Sequence, residues 1–340
     1  MTRRVQLVSI ASAMLAAASP VWAWHAAGHH RAAEAAVAAA AGEMPEFFRQ
    51  GLATIAHCSL DPDAFTRPIA PVELHRAESP EHYFDMELLK DQPLPTDRYA
   101  FISLCAANKL DPARVGLLPY AVTEWTERLA VTLAEHRKWP DNQHVKTKCL
   151  VYAGILAHYA EDLCMPLHTT IHYDGRAGQD GSSPRTGIHL KVDALLGKCP
   201  GGPEETARGL TVRAFDEVLP VVVDELGRSH AMVGKVYELE GRLPEPDAPI
   251  QPGSAVQEFT QERLRAAAAF TASLYATAWR LSEKIDLPDW HKRETPAAAS
   301  QPATSRPGPA PAALPESPNP FPPGEAATAA TSRPASLGLP

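Results

Sequence analysis

Gln143-HVKTKCLVYAGILAHYAEDLCMPL-His168 places apolar residues at Cys149, Tyr152, Leu156, Tyr159 and Leu163, a recurrence of threes and fours. That period predicts a helix over Gln143 to Leu163. Within it His158 and Asp162 stand four apart, so their side chains project from one face, one turn apart. Tyr152, Leu156 and Tyr159 occupy the other face and are free to pack. Pro166, in Met165-Pro166-Leu167, ends the helix and lets the chain turn His168 back toward the same point. Alone, such a His/Asp pair belongs to an ordinary solvated helix face. Its meaning depends on what accompanies it.

Outward from this stretch nearly every long segment repeats the helical period. Arg31 to Ala41 is almost all alanine, and Pro45 to His57 carries Phe47, Phe48, Leu52 and Ile55. Asp111 to Lys138 holds Leu117, Leu118, Val122, Trp125, Leu129 and Leu133. Further helices are expected at Gly187–Leu196, Glu204–Leu226, Ala231–Glu240 and Ala255–Ile285. Long loops are expected at Ser59–Tyr83, Asp91–Arg114 and Thr169–Thr186, the last rich in Gly, Asp and Ser. A structureless loop of that length usually belongs to a site. Only Leu219 to Val223 has a strand-like look, and its flanks are helical. The fold class is therefore all-α: a single multi-helix domain.

The ends of the chain read differently. Residues 1–23 resemble a signal peptide, with Arg3 and Arg4 before an apolar run and Val21-Trp22-Ala23 fitting a small-residue cleavage site. Export to the periplasm or the medium follows, and retention as an anchor is the minor alternative. Residues 293–340 are Pro, Ala, Ser and Thr, with 12 of the 33 prolines in the last 45 residues. That density removes backbone donors and supplies little apolar surface, so this tail is expected to be disordered. Residues 24–292 form the folding domain. A net charge of −8 gives no broad basic face for nucleic acid. The cysteines, Cys58, Cys105, Cys149, Cys164 and Cys199, contain no Cys-x-x-Cys pair, which argues against a thiolate zinc site. Export permits disulfides, and the odd number leaves at least one thiol unpaired within the chain.

The candidate chemistry rests on scattered imidazoles and carboxylates. His189 and Asp193 repeat the four-residue spacing of His158 and Asp162. Asp63 lies in Asp61-Pro62-Asp63, and His82 opens His82-Tyr83-Phe84-Asp85. Singly, a loop Asp is usually a turn or cap residue, and a His among aromatics is usually packed core. Removal of residues 1–23 would make Trp24 the first residue, with an amine and a carbonyl oxygen able to chelate. An α-amino group has a pKa near about 8, so a metal can displace its proton at neutral pH. His29, five residues on, is positioned to close on the same ion.

With these motifs in place, the chain resembles the superfamily of zinc-dependent phosphoesterases that contains secreted single-strand nucleases and bacterial zinc phospholipases C. The resemblance is carried by Trp24 with Gly28-His29, by Asp63, and by His82-Tyr83-Phe84-Asp85. His158-x3-Asp162-x5-His168 and His189-x3-Asp193 complete it. It implies three zinc ions, clustered at one end of the helical domain. Asp63, His82, His158 and Asp162 would hold the first; His168, His189 and Asp193 the second. The Trp24 amine and carbonyl, His29 and a second oxygen of Asp162 would hold the third. Asp85 would orient an attacking water or a ligand imidazole, or would simply cap a helix.

Three features resemble the nuclease branch: the Trp24–His29 spacing, Asp193 in place of Glu, and the long gap holding Asp174-Gly175-Arg176-Ala177-Gly178-Gln179. Gln179, Val192 and the Asp-Pro-Asp around Asp63 depart from it, the last toward the phospholipases. The nuclease reading is favoured, with single-stranded nucleic acid or nucleotides as substrate. Zinc-dependent phospholipase C action on phospholipid is the alternative, and a non-catalytic exported zinc-binding protein is a third reading. No obligate protein partner is evident. Tyr83, Phe84 and Tyr173 are candidate stacking platforms, with core packing expected for Tyr83 and Phe84. His25, His30 and His172 flank ligand positions without being expected to bind.

Overall fold

Helix follows helix through the computed structural model, which describes residues 26–67, 69–90 and 92–293. The expected signal segment, Trp24 and all of the tail after Arg293 lie outside the described residues. Five elements open the fold: α1 (Ala26–Ala39), α2 (Glu46–Gln50), α3 (Leu52–Cys58), α4 (Asp61–Phe65) and α5 (Val72–Glu78). Then come α6 (Arg98–Ala107), α7 (Pro112–Val115) and the two long helices α8 (Leu118–Lys138) and α9 (Gln143–Leu163). The second half holds α10 (Ile188–Asp193), α11 (Pro203–Ala207), α12 (Val218–Ala231), α13 (Val233–Leu239) and α14 (Ala255–Leu281). Among the described residues the extended pairings are isolated bridges, Phe84 to Gly116 and Tyr173 to Gly175. The chain is all-α.

Helix α9 is the axis of the core. Asn142 caps it, its Oδ1 accepting from the backbone N–H of His144 at 3.0 Å and of Val145 at 3.2 Å. This satisfies two of the donors orphaned at a helix start. Leu156, Ala157, His158, Tyr159, Ala160, Glu161, Asp162 and Leu163 are all buried, because α1, α3, α8 and α14 surround it. Helix α1 presents Ala32, Ala33 and Ala36 at zero exposure, and such small side chains let its neighbours approach closely. Helix α14 is buried without interruption from Phe270 to Ala278, as a central helix must be. The Tyr275 hydroxyl donates to the Ala153 carbonyl at 3.0 Å and ties α14 to α9. Burying a side chain such as Leu156 stabilises by about 1.5–3 kcal/mol, so Leu156→Ala should cost about 2–5 kcal/mol.

Three expectations need correction. Ser59–Tyr83 is not a loop but carries α4 and α5. Pro62 in the first turn of α4, with Asp61 and Asp63 there, is a sound helix start: proline fixes φ, and the acids favour the positive end of the dipole. Asp91–Arg114 carries α6 and α7; Asp97 Oδ1 caps α6 by accepting from the Tyr99 and Ala100 N–H groups, both at 2.9 Å. Glu204–Leu226 is not one helix. It breaks after α11, where Gly209 takes a φ of 72°, and resumes at Val218. The break is held by Ser273 Oγ and Thr277 Oγ1 of α14, which accept from the Arg213 and Phe215 N–H groups at 3.2 and 3.0 Å. Thr169–Thr186 is indeed mostly irregular. All five cysteines are free and buried, so export would not entail a disulfide here. Among the described residues no helix is long and apolar enough to cross a membrane.

Candidate metal centre

Six elements converge where α9 ends and α1 begins. Helix α9 supplies His158 and Asp162, one turn apart and fully buried rather than solvated. Helix α1 brings His29 against them, its ring stacked on His158 with centroids 4.0 Å apart. His82 arrives at the end of the short 3-10 turn Ser79–His82, and Asp63 lies on α4. Pro166 starts the 3-10 turn Pro166–Thr169, which returns His168 to the same point. Helix α10 adds His189 and Asp193.

Asp162 is the hub. Its Oδ1 lies 3.2 Å from His168 Nδ1 and 3.5 Å from His29 Nε2. Its Oδ2 lies 3.0 Å from His82 Nδ1 and 3.3 Å from His158 Nε2. On α10, His189 Nε2 is 3.1 Å from Asp193 Oδ2 and 3.3 Å from His168 Nε2. Three groups have ligand atoms within 4.8 Å of one another: His29, His158 and Asp162; Asp63, His82 and His158; His168, His189 and Asp193. Every expected ligand among the described residues is therefore brought together. The first two groupings differ from the expected sets in two respects: His158 belongs to both, and Asp162 is absent from the group of Asp63 and His82.

The far nitrogens are already committed. His158 Nδ1–H donates to the Ser59 carbonyl at 2.8 Å, His29 Nδ1–H to Glu161 Oε2 at 2.8 Å, and His189 Nδ1–H to the Tyr173 carbonyl at 3.2 Å. Each bond fixes ring and tautomer, leaving Nε2 as the inward acceptor, the arrangement that metal-binding histidines adopt. Glu161 and Ser59 were not foreseen.

Asp162 Oδ1, both Asp193 oxygens, His168 Nδ1 and His82 Nε2 are buried without a hydrogen bond. An unsatisfied buried polar atom costs about 1–3 kcal/mol. Burial, then the charge of His158, drives the His29 pKa well below its usual value. Burial also opposes protonation of His158, but Asp162 overrides it and lifts the pKa to about 9. Burial, then the charge of Asp162, pushes the Glu161 carboxyl up. With zinc–ligand distances of about 2.0–2.1 Å, two ligands of one tetrahedral ion stand about 3.3–3.4 Å apart. The spacings here match that edge, and His with Asp is a donor set that zinc accepts without thiolate. These His/Asp groups fit a metal ion.

A cavity of about 560 Å³ opens over them, and its floor includes His29, Asp63, His82, Asp162, His168 and His189. Asp85 lies on the wall. It stands at the start of the 3-10 turn Met86–Leu89 but makes no side-chain cap bond, so it is not a working cap. Burial, then the charge of Glu87, pushes its carboxyl up to about 7, with Arg114 opposing. Tyr83 and Tyr173 also line the cavity, whereas Phe84 is core at 1% exposure. His30 pairs with Glu34 on the surface, and His172 Nδ1 accepts from the Ala177 N–H at 2.9 Å, so neither joins the cluster. Two arginines of the cavity lining, Arg114 and Arg185, went unremarked in the sequence. No family model and no curated protein matches this chain.

Proposed function

We propose that the chain is an exported zinc-dependent phosphodiesterase, acting in the periplasm or outside the cell on single-stranded nucleic acid or nucleotides. The observation that carries this reading is the buried His/Asp cluster with unsatisfied ligand atoms at the floor of an open cavity. In this reading three zinc ions are held. Asp63, His82, His158 and Asp162 take one, and His168, His189 and Asp193 another. His29, Asp162 and the amine and carbonyl of a freed Trp24 take the third. Zinc bound there would act as a Lewis acid and draw the pKa of water from about 15.7 toward 7.

The protein's own groups do the rest. Ser59 O, Glu161 and Tyr173 O hold the imidazoles in register. Asp85, free of any capping bond, is the group available to orient an attacking water and take its proton. Tyr83 and Tyr173 offer ring faces on the cavity wall; stacking a base on such a ring is worth about 1–3 kcal/mol.

A phospholipase C reading has one observation of its own. Phe65, Ile69, Val72 and Leu74 are exposed large apolar residues on the stretch that runs between Asp63 and Ser79, both cavity-lining. An apolar rim of this kind suits a lipid surface.

The test is a panel of single-stranded DNA, RNA, 3′-mononucleotides and phosphatidylcholine, assayed with the exported protein zinc-loaded and after chelation. Zinc-dependent cleavage of nucleic acid or nucleotide supports the proposal, and cleavage of phosphatidylcholine alone supports the second reading. Turnover of none, with zinc bound, leaves an exported zinc-binding protein. N-terminal sequencing should find Trp24 first; finding Met1 or Thr2 would remove the third zinc.

A further inference from the structure

Arg114 and Arg185 reach the cavity from opposite sides of the sequence. Arg114 belongs to α7, and Arg185 to the loop between His168 and His189. They differ from most arginines of the chain. Arg98 is engaged by Glu81 and Glu124, and Arg137 by Ser282 and Glu283. Arg176, in the same loop, stacks on the Tyr237 ring at 4.3 Å and does not line the cavity. The side chains of Arg114 and Arg185 make no hydrogen bond or ion pair with any described residue. In a chain of net charge −8, two guanidiniums without an ion pair in the lining of one cavity are a local exception.

The loop is built to hold them there. Thr186 N–H and Ser183 Oγ donate to the Asp174 carbonyl at 3.0 and 2.7 Å, closing the loop at its base. Asp180 Oδ1 is turned inward, accepting from Ser182 N–H at 3.0 Å and Ser182 Oγ at 2.7 Å. Gly181 takes a φ of 73°, and a Cβ there would lie 3.5 Å from Arg114 Nη2, so the loop tip adjoins that guanidinium. Arg185 itself adopts a φ of 56°. The left-handed conformation costs a non-glycine residue about 1–2 kcal/mol, and residues held this way cluster at ligand sites. The acids whose charge acts on Arg114 are Asp85 on the wall and Asp180 on the loop, neither within ion-pair distance of it.

We infer that Arg114 and Arg185 form a second anion subsite, which receives a phosphate of the substrate other than the one at the His/Asp cluster. The guanidinium fork matches phosphate geometry. A chain of phosphates has such a neighbouring anion, whereas a choline head group presents a cation in its place. This inference rests on the phosphodiesterase reading and narrows its substrate to polyanions.

The test uses the full exported protein, zinc-loaded, with Arg114→Gln, Arg185→Gln and the double variant, each checked for unchanged zinc content. Binding of a short fluorescent phosphorothioate oligothymidylate is followed by anisotropy against salt. Hydrolysis of bis(p-nitrophenyl) phosphate, which has a single phosphate, is followed alongside. Each arginine removed should weaken oligonucleotide binding about tenfold and reduce the log–log salt slope by about 0.7, the increment per phosphate on a single strand. Hydrolysis of the small diester, read on its pH plateau well above 7 where Asp85 is ionised in every variant, should change by less than about twofold. Equal losses on both ligands would overturn the subsite, since the arginines would then act on the reacting phosphate. So would an unchanged salt slope, or failure of the wild-type protein to bind the oligonucleotide. Arginine-dependent binding without hydrolysis of any diester would sustain the subsite and overturn the phosphodiesterase reading instead.

Discussion

Gly154→Ala tests how the second layer of the site is built. Gly154 lies one turn before His158 on α9, where α3 crosses it. A Cβ there would stand 2.6 Å from Cys58 Cβ and 2.6 Å from the Ile55 carbonyl oxygen. Apolar carbons prefer about 3.5–4.0 Å, so the end of α3 must withdraw by about 1 Å. The residue after Cys58 is Ser59, whose carbonyl accepts from His158 Nδ1–H at 2.8 Å. A retreat of that size stretches the bond to about 3.8 Å, beyond hydrogen-bonding range. Overpacking costs about 1–3 kcal/mol, and the better helix propensity of alanine returns about 0.8–1.0 kcal/mol. The net effect is a loss of up to about 2 kcal/mol. Removing the partner that orients a ligand imidazole lowers metal affinity about 10- to 100-fold. Zinc affinity is measured by competition with a chromophoric chelator, and stability by thermal melting. Gly227→Ala on α12, where a Cβ meets nothing within 4 Å, is the control and should leave affinity unchanged. A Gly154→Ala protein with wild-type zinc affinity would refute the chain of reasoning from α3 to His158.

Glu161→Leu removes the oxygen that accepts from His29 Nδ1–H, and zinc affinity should fall by about tenfold or more; chelator competition reads this, and an unchanged affinity contradicts the role. Asp85→Asn should abolish the rise of kcat/KM with pH centred near 7, because Asp85 acts as a base only when ionised and burial holds its pKa up to about 7; a pH–rate profile identical to wild type would exclude it. The same shift has a stability consequence. With a folded pKa above the usual carboxyl value, folding takes up a proton, and stability declines as pH rises from about 4 to about 7. Denaturant titrations across that window should show the decline in the wild type and a flatter curve in Asp85→Asn.

The long helices were legible because their apolar period is unambiguous: α8, α9 and α14 all lie where Leu129, Leu156 and Leu274 recur with their neighbours. Helices α4 and α5 were missed because they are a turn or two long, too short for a period to declare itself, and only the Pro and Asp of Asp61-Pro62-Asp63 marked the start. The site was legible where chemistry lies in side-chain type and spacing, as with His158 and Asp162, or His189 and Asp193. It was illegible where a backbone carbonyl does the work. Ser59 O meets His158 from 99 residues away, and nothing in a serine's identity signals that. Glu161 neighbours Asp162 in sequence yet serves His29, which only the crossing of α1 and α9 explains. Arg176 drew notice from its loop motif, but Tyr237 holds it, and Arg114, in an unremarkable Pro-Ala-Arg-Val turn, is the guanidinium that reaches the cavity.

The central claim is that Asp162 joins imidazoles from four elements around metal ions. Elemental analysis of the purified protein, wild type beside Asp162→Asn, tests it most directly. Stoichiometric zinc in the wild type and a loss of about two ions per chain in the variant is the predicted result, since a neutral amide bridges two cations poorly. A wild-type protein without stoichiometric transition metal, or a variant that loses less than one ion, would contradict it.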